Sequence, residues 1–302
     1  MKIFLTGGTG FVGKTLLQTL IQRGHDVTLL TRSISKYGDK PPSVNLVEGD
    51  PTRKGEWQES AGRHKVIINL AGASIFGRWT EEVKRVLRES RILTTRNLVD
   101  AIADHEGKTL FSTSAVGYYG FHGDEELIEE SPPGKDFLAQ LAVDWEKEAL
   151  KAQDRGVRVV LTRFGIVLGE EGGALGQMIP LFKKDLGGPL GSGRQWFSWI
   201  HREDLNRAVL FLLDHPEISG PVNLVAPNPV RNKELAAAIG KAMRRPAFMR
   251  VPGFMLRLAL GEFGSVLLEG QRVIPQKLLQ RGFQFQYPRI EEALAQIFEN
   301  KE

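Results

Sequence analysis

The chain opens Met1-Lys2-Ile3-Phe4-Leu5-Thr6-Gly7-Gly8-Thr9-Gly10-Phe11-Val12-Gly13, and the rest of the fold can be read outward from this stretch. Ile3–Leu5 is a short continuous apolar run, the pattern of a strand buried on both faces. Glycines at 7, 10 and 13 follow at once, and the residues from 11 to 23 have helical character. The first glycine permits a tight turn, the second lets backbone approach a pyrophosphate, and the third lets helix pack closely on strand. The helix N-terminus adds free N–H groups and partial positive charge. A GxxGxxG spacing alone is weak evidence, because structural turns produce it too. Its place between a strand and a helix points to a dinucleotide site.

Outward from the loop, strand and helix alternate. Val27–Leu30, Val44–Val47, Val66–Leu70, Leu110–Ser112 and Val157–Leu161 read as further buried strands. Residues 80–104 and 136–154 read as helices, the first with apolar residues near helical spacing from Val83 to Ile102. The alternation predicts an α/β fold with right-handed crossovers and a doubly wound parallel sheet of Rossmann type. Beyond about residue 170 the pattern loosens. Segment 172–198 is rich in glycine, helices are expected over 203–214, 231–243 and 290–299, and Val222–Val225 reads as a strand returning to the main sheet. The expected division is a nucleotide-binding domain over 1–225, with 170–200 contributing to a substrate crevice, and a smaller C-terminal lobe over 226–302.

Composition narrows the partners. No apolar run reaches the roughly 18 residues of a membrane span, and the start of the chain lacks the pattern of a secretory leader. The absence of cysteine excludes disulfides, a thiolate nucleophile and cysteine-ligated metal. No metal site is expected, and a cytoplasmic location is the default. The net charge is only +4, yet residues 231–289 carry eleven Lys/Arg against three Glu. A solvated basic face explains this most simply. No zinc spacing or RNA-binding signature accompanies it, so nucleic acid is not an expected partner.

The end of the second strand reads Thr31-Arg32-Ser33, with no carboxylate before Asp39. An acidic residue there would hydrogen-bond the free 2′-hydroxyl of NAD, whereas an arginine accommodates the 2′-phosphate of NADP. Arg32 therefore predicts NADP(H). The plainer alternative is a surface arginine ending a strand.

These features resemble the extended branch of the short-chain dehydrogenase/reductase superfamily, which includes nucleotide-sugar epimerases and dehydratases. Asn69-Leu70-Ala71-Gly72 looks like the family's strand end along the adenosine. Leu110–Gly120 is similar to the strand bearing its active-site serine, with Ser114 in the matching place. Arg163–Gly169 resembles the turn beside the nicotinamide, and Trp199–Asp204 the segment returning from the substrate lobe. Gly77-Arg78-Trp79-Thr80, Ser90-Arg91-Ile92, Asp144-Trp145-Glu146, Gln271–Pro275 and Gly282-Phe283 are similar to one atypical subfamily, labelled epimerase family or cell division inhibitor-like, with a short C-terminal domain of unassigned role. The resemblance implies cofactor contacts at Gly7, Thr9, Gly10, Phe11, Val12, Gly13, Thr31, Arg32, Leu70, Ala71, Gly72, Arg91, Ser112 and Val167. For Arg91 a helix-surface role is an equal alternative.

Superfamily chemistry relies on a tyrosine four residues before a lysine on one helix, where the ammonium lowers the phenol pKa. The four tyrosines, 37, 118, 119 and 287, are followed at that spacing by Pro41, His122, Gly123 and Glu291. The matching helix offers Phe137 and Leu141, and neither exchanges protons. Ser114 and Tyr119 are left as catalytic candidates, with His122 and His201 as weaker ones. Gln195 and Trp196 are candidates for contact with a small, hydroxylated, anionic substrate. Two functions stand: an NADP-dependent oxidoreductase or epimerase-like enzyme with a relocated proton donor, or a cofactor-binding sensor or scaffold without turnover. Residues 254–260, apolar with one arginine, are expected to pack on the large domain rather than to meet a membrane.

Overall fold

The computed structural model describes residues 1–36, 42–102, 107–169 and 172–299. Its centre is a seven-stranded sheet of β1 (Lys2–Thr6), β2 (Asp26–Thr31), β3 (Val44–Glu48), β4 (Val66–Asn69), β5 (Thr109–Ala115), β7 (Arg158–Phe164) and β11 (Gly220–Leu224), in the order β11-β7-β5-β4-β1-β2-β3. Every pairing is parallel. The chain winds from β1 outward to β3, then crosses to β4 and winds the other way. Loops on either side of the β1–β4 boundary therefore diverge, which opens a crevice at the carboxyl ends of these strands.

The apolar strand runs are buried because both faces are covered. On one face α1 (Phe11–Gln22) and α6 (Arg202–Asp214) bury Leu16, Leu20, Leu205, Val209 and Leu212 against Ile3, Leu5 and Val27. On the other, α2 (Trp57–Gly62), α3 (Glu81–Ala101) and α4 (Phe137–Leu150) bury Trp57, Leu98, Val99 and Ala149 against Phe4, Ile67 and Leu110. Thr80 caps α3 by accepting the Val83 N–H, and Asp136 caps α4 by accepting those of Leu138 and Ala139.

Beyond the sheet the chain is tied together by three short strand pairs: β6 (Glu126–Leu127) with β13 (Arg272–Val273), β8 (Ile166–Leu168) with β10 (Trp199–His201), and β9 (Trp196–Phe197) with β12 (Val230–Arg231). A further core joins α5 (Gly173–Lys183), α7 (Asn232–Met243) and α11 (Ile290–Glu299) around Trp199 and Leu235. Residues 168–182 thus share a core with 226–297. The fully buried Asp204 carboxylate accepts the N–H groups of Gln286 and Tyr287, both at 2.8 Å, and pins the last segment to α6.

The structure differs from the sequence expectation in two places and adds detail in a third. The glycine-rich 172–198 stretch holds a helix, α5: Gly172 and Gly173 take left-handed or related φ values at its start, after which Leu175 and Phe182 find burial. Residues 244–289 form three short helices, α8 (Gly253–Leu260), α9 (Glu262–Val266) and α10 (Gln276–Gln280). Finally, residues 254–260 do not pack wholly on the large domain: α8 has no buried residue, and Phe254, Met255 and Leu258 face outward.

Candidate functional site

The glycine loop has the shape a pyrophosphate needs. Gly7 lies at φ +70°, and a Cβ there would stand 2.6 Å from the Leu70 carbonyl carbon. A Cβ at Gly13 would stand 2.6 Å from the Gly8 Cα. Both glycines are thus required by close backbone contact, one between the two crevice loops and one between loop and helix. Gly10 turns its N–H onto the Gly7 carbonyl at 3.0 Å, and α1 begins after it with no side-chain cap and no acidic residue in its first turn. The orphan N–H groups and positive end of α1 therefore face the crevice. Thr9 is exposed on the loop, while Phe11 and Val12 are partly buried, Phe11 lying close enough to Gly172 and Gly173 to obstruct any side chain there.

Thr31 ends β2 and receives the Ser33 N–H on its hydroxyl at 3.4 Å. Arg32 is exposed beside it and has no hydrogen bond or ion pair among the described residues. Asp39, Tyr37 and Pro41 lie outside the described residues. Across the switch point, Asn69 fixes the end of β4. Its Oδ1 accepts the Thr6 hydroxyl at 2.7 Å and the Ala71 N–H at 3.3 Å, and its amide donates to Thr95 at 3.0 Å. Trp145 on α4 donates to the same Thr95 hydroxyl at 2.8 Å. This tie between four elements had no signal in sequence periodicity.

Arg91 lies against that strand end. Its guanidinium donates to the carbonyls of Leu87 and Ala73, both at 3.0 Å, sits 5.3 Å from the Trp145 ring centroid, and would be 3.3 Å from a Cβ at Gly72. Burial pushes its pKa down to about 10, and no carboxylate pairs with it among the described residues. A semi-buried cation without a counter-charge at the crevice edge is suited to an anionic ligand. Ser112 is buried on β5 with an unpartnered hydroxyl, and Val167 is partly buried on β8.

The catalytic candidates fare differently. Ser114 is buried and donates its hydroxyl to Glu146 at 2.7 Å. Glu146 also receives Arg163 through two bonds of 2.8 Å, and the Arg163 side chain donates onward to the Tyr119 hydroxyl at 2.9 Å and the Glu129 carbonyl at 3.1 Å. Tyr119 in turn donates to Asn223 at 2.7 Å. Burial works against the Arg163 charge, but the bonds and charge of Glu146 outweigh it and hold its pKa above the arginine range. Tyr119 is completely buried, and burial pushes its phenol up to about 12. A sealed phenol with its proton committed to Asn223 cannot exchange protons with a ligand in the crevice. Tyr119 is thus corrected from catalytic candidate to structural partner, and Ser114 is held in the same buried network. His122 is engaged by Glu125 and the Tyr119 carbonyl, and His201 by Gln296 and the Glu203 N–H.

At the positions where the superfamily keeps its tyrosine and lysine, Phe137 and Leu141 enter an apolar cluster with Trp79, Leu87 and Phe263. Trp79 meets Phe137 edge-on at 5.4 Å and stacks on Phe263 at 5.4 Å. Phe263 comes from α9, so the C-terminal lobe covers this corner of the crevice, and an ion pair between Lys84 and Glu262 holds it there. A cleft of about 70 Å³ lies against this cluster, lined by Phe121, Asp136, Leu138 and Ser265 among others. Phe263 had no signal in the sequence, and Trp79 stood there only within the Gly77–Thr80 motif, because their meeting is a long-range contact.

The proposed substrate pair is also engaged elsewhere. The Gln195 amide donates to the carbonyls of Leu190 and Leu267, which ties the glycine-rich loop to the lobe. Trp196 lies between Arg231, 3.8 Å from its ring centroid, and Arg272, 5.0 Å away, and donates to Asp124 at 2.9 Å. Both residues brace the lobe, and the Gln195 Oε1 is buried without a hydrogen-bond partner among the described residues. No group of three or more potential metal ligands occurs among the described residues.

Comparison with known proteins agrees with this architecture. Residues 3–225 match the NAD dependent epimerase/dehydratase family, and residues 251–297 match a domain of unknown function, DUF1731. The chain is 41% identical over 305 residues to the epimerase family protein YfhF of Bacillus subtilis, covering 100% of this chain and 99% of that protein. It is 42% identical over 303 residues to the chloroplastic epimerase family protein SDR39U1 homolog of Arabidopsis thaliana, covering 99% and 87%. The crystal structure of human epimerase family protein SDR39U1 (isoform 2) with NADPH superposes with a TM-score of 0.86 at 35% identity, covering 99% of this chain and 100% of that one. The seven-stranded parallel sheet, the glycine loop at its switch point and the matched segments together show that the chain belongs to the NAD-dependent epimerase/dehydratase family, the extended short-chain dehydrogenase/reductases, with the C-terminal DUF1731 domain.

Proposed function

We propose that this protein binds NADP(H) and uses the dinucleotide as a signal or structural ligand, without the carbonyl–alcohol chemistry of its superfamily. The observation that carries the second half is the apolar cluster of Phe137, Leu141, Trp79 and Phe263, which fills the acid–base corner and is closed by the C-terminal lobe. The sequence favours an oxidoreductase or epimerase-like enzyme with the ligand-only reading as its alternative, and the apolar filling of this corner is what supports the alternative. When bound, the nicotinamide supplies a hydride donor or acceptor. The chain's own residues bind and orient it. The Gly7–Gly13 loop and the α1 N-terminus take the pyrophosphate, Arg32 takes the ribose 2′-phosphate, and Arg91 with the Leu70–Gly72 strand end provides a further cation and backbone edge. The choice of NADP(H) over NAD(H) rests on Arg32 and is supported by NADPH in the human relative. A cytosolic setting suits a chain without cysteine.

The occupied crevice has a route to the lobe. The loop after β4 leads from the Arg91 contact at Ala73 to Trp79, which stacks on Phe263 of α9. Bound NADP(H) would order this loop and through it α9. The test is an NADPH fluorescence titration, alone and with a panel of carbonyl compounds and nucleotide sugars. Saturable binding that is lost in Gly10→Asp, without oxidation by any panel member, is expected. Sustained NADPH oxidation that depends on one substrate would overturn the ligand-only reading, and failure to bind NADPH would overturn both parts.

A further inference from the structure

The three most exposed large apolar side chains among the described residues lie close together in sequence: Phe248, Phe254 and Leu258 are 75%, 69% and 78% exposed. Phe254 and Leu258 are one turn apart on α8, and Met255 lies beside them. Phe248 and Met249 sit on the arm that leads into α8. This arm is held in place by backbone bonds from Met249 to Gly187 and from Val251 to Pro189, both 3.1 Å, and from Gly191 to Val251, 2.8 Å. Alongside runs the end of α5, where Leu181 and Leu186 are also exposed and are joined by a Leu186–Leu181 backbone bond of 2.9 Å. The exposed apolar side chains thus stand on segments whose backbones are braced against one another.

The charges around them have one sign. Lys183, Lys184, Arg244, Arg245, Arg250 and Arg257 are all exposed, and the one carboxylate in 181–186 and 244–260 is Asp185, which pairs with Arg245. A two-fold dimer through this face would set these cations against their own copies. Nucleic acid would answer the charge but leave Phe254 and Leu258 in water. An anionic lipid surface satisfies both: its headgroups meet the cations, and the headgroup–acyl boundary takes up the protruding apolar groups.

The geometry points to a peripheral membrane contact, in which α8 and the 244–252 arm dock on an anionic bilayer surface. This goes beyond the cofactor reading, does not depend on it, and reverses the expectation that 254–260 packs inward. No described helix is long and apolar enough to cross a membrane, so the contact is interfacial.

The full chain should be sedimented with phosphatidylcholine vesicles containing about 30% phosphatidylglycerol, and with phosphatidylcholine alone. The protein is expected to pellet with the anionic vesicles, to be released by raised salt, and to stay in solution with the neutral ones. Phe254→Ser/Leu258→Ser should lower the vesicle-bound fraction about tenfold or more while NADPH binding and thermal unfolding are unchanged. Arg250→Gln/Arg257→Gln, which leaves the apolar groups in place, should weaken binding in a salt-dependent manner. A wild-type protein that ignores anionic vesicles would overturn the assignment, as would a Ser double variant that still pellets like wild type. Concentration-dependent self-association abolished by the same substitutions, without vesicle binding, would assign the face to a second copy instead.

Discussion

Replacing Glu146 by glutamine tests whether the buried pair beneath Ser114 is what holds the inner wall of the crevice. Glu146 neutralises Arg163, whose side chain is 3% exposed, through two bonds of 2.8 Å, and also accepts the Ser114 hydroxyl. The amide has nearly the same shape but no charge, and its NH2 would face the guanidinium. Leaving one partner of a buried pair without its counter-charge costs about 3–5 kcal/mol. The unfolding entropy is about 2.1 cal/mol/K per residue. For 302 residues that is roughly 0.6 kcal/mol/K, so Tm should fall by roughly 5–8 °C. Differential scanning calorimetry reads this directly. Ser114→Ala removes one hydrogen bond and should cost only about 1 kcal/mol, a fall of roughly 2 °C. The double variant Glu146→Leu/Arg163→Met removes both charges and should lose less than the summed single losses. A fall of under about 2 °C for Glu146→Gln would refute the claim that this pair carries the wall.

Three further outcomes follow from the same geometry. Arg32→Asp should weaken NADPH about ten- to hundredfold, by loss of a charge-assisted bond and added repulsion, and bring NADH binding level with it or above; fluorescence titration with both cofactors decides. Restoring the superfamily pair as Phe137→Tyr/Leu141→Lys should not create activity, because Leu141 is 3% exposed within the Trp79–Phe263 cluster; an unpaired ammonium there should cost about 3 kcal/mol or more, and a stable variant that reduced a carbonyl substrate would contradict this. Burial lowers the pKa values of His64 and His201 below 6.5, so the unfolded chain takes up protons before the folded one does as pH falls. Their contribution to stability is full above about 6.5 and is lost as pH drops through the folded values; Tm should decline between pH 7 and 5, and His201→Gln should flatten part of that slope.

Much of the fold was legible because its signals are local. Strands buried on both faces read as continuous apolar runs, the nucleotide loop needs three glycines within seven residues, and a missing Tyr-x-x-x-Lys is a matter of spacing on one helix. Arg32 and the neighbourhood of Arg91 could be proposed from motif position. The helix α5 was hidden because its glycines suggested irregular chain, while Leu175 and Phe182 gain their burial in a core shared with Leu168 of β8, Trp199 and residues of the distant α7 and α11. Tertiary structure alone decided what fills the crevice. Tyr119 reaches Asn223 across 104 positions of chain, Ser114 reaches Glu146 across 32, and Phe263 arrives from the far lobe to stack on Trp79. These contacts turned catalytic candidates into buried structure, and the same packing left α8 facing outward. The sequence by itself determined the sheet, the loop and the lost acid–base pair, since each depends on neighbours a few residues apart. Which hydroxyls stay free, which corner closes and which apolar face stays exposed depend on segments meeting in space, and only the folded chain decides them.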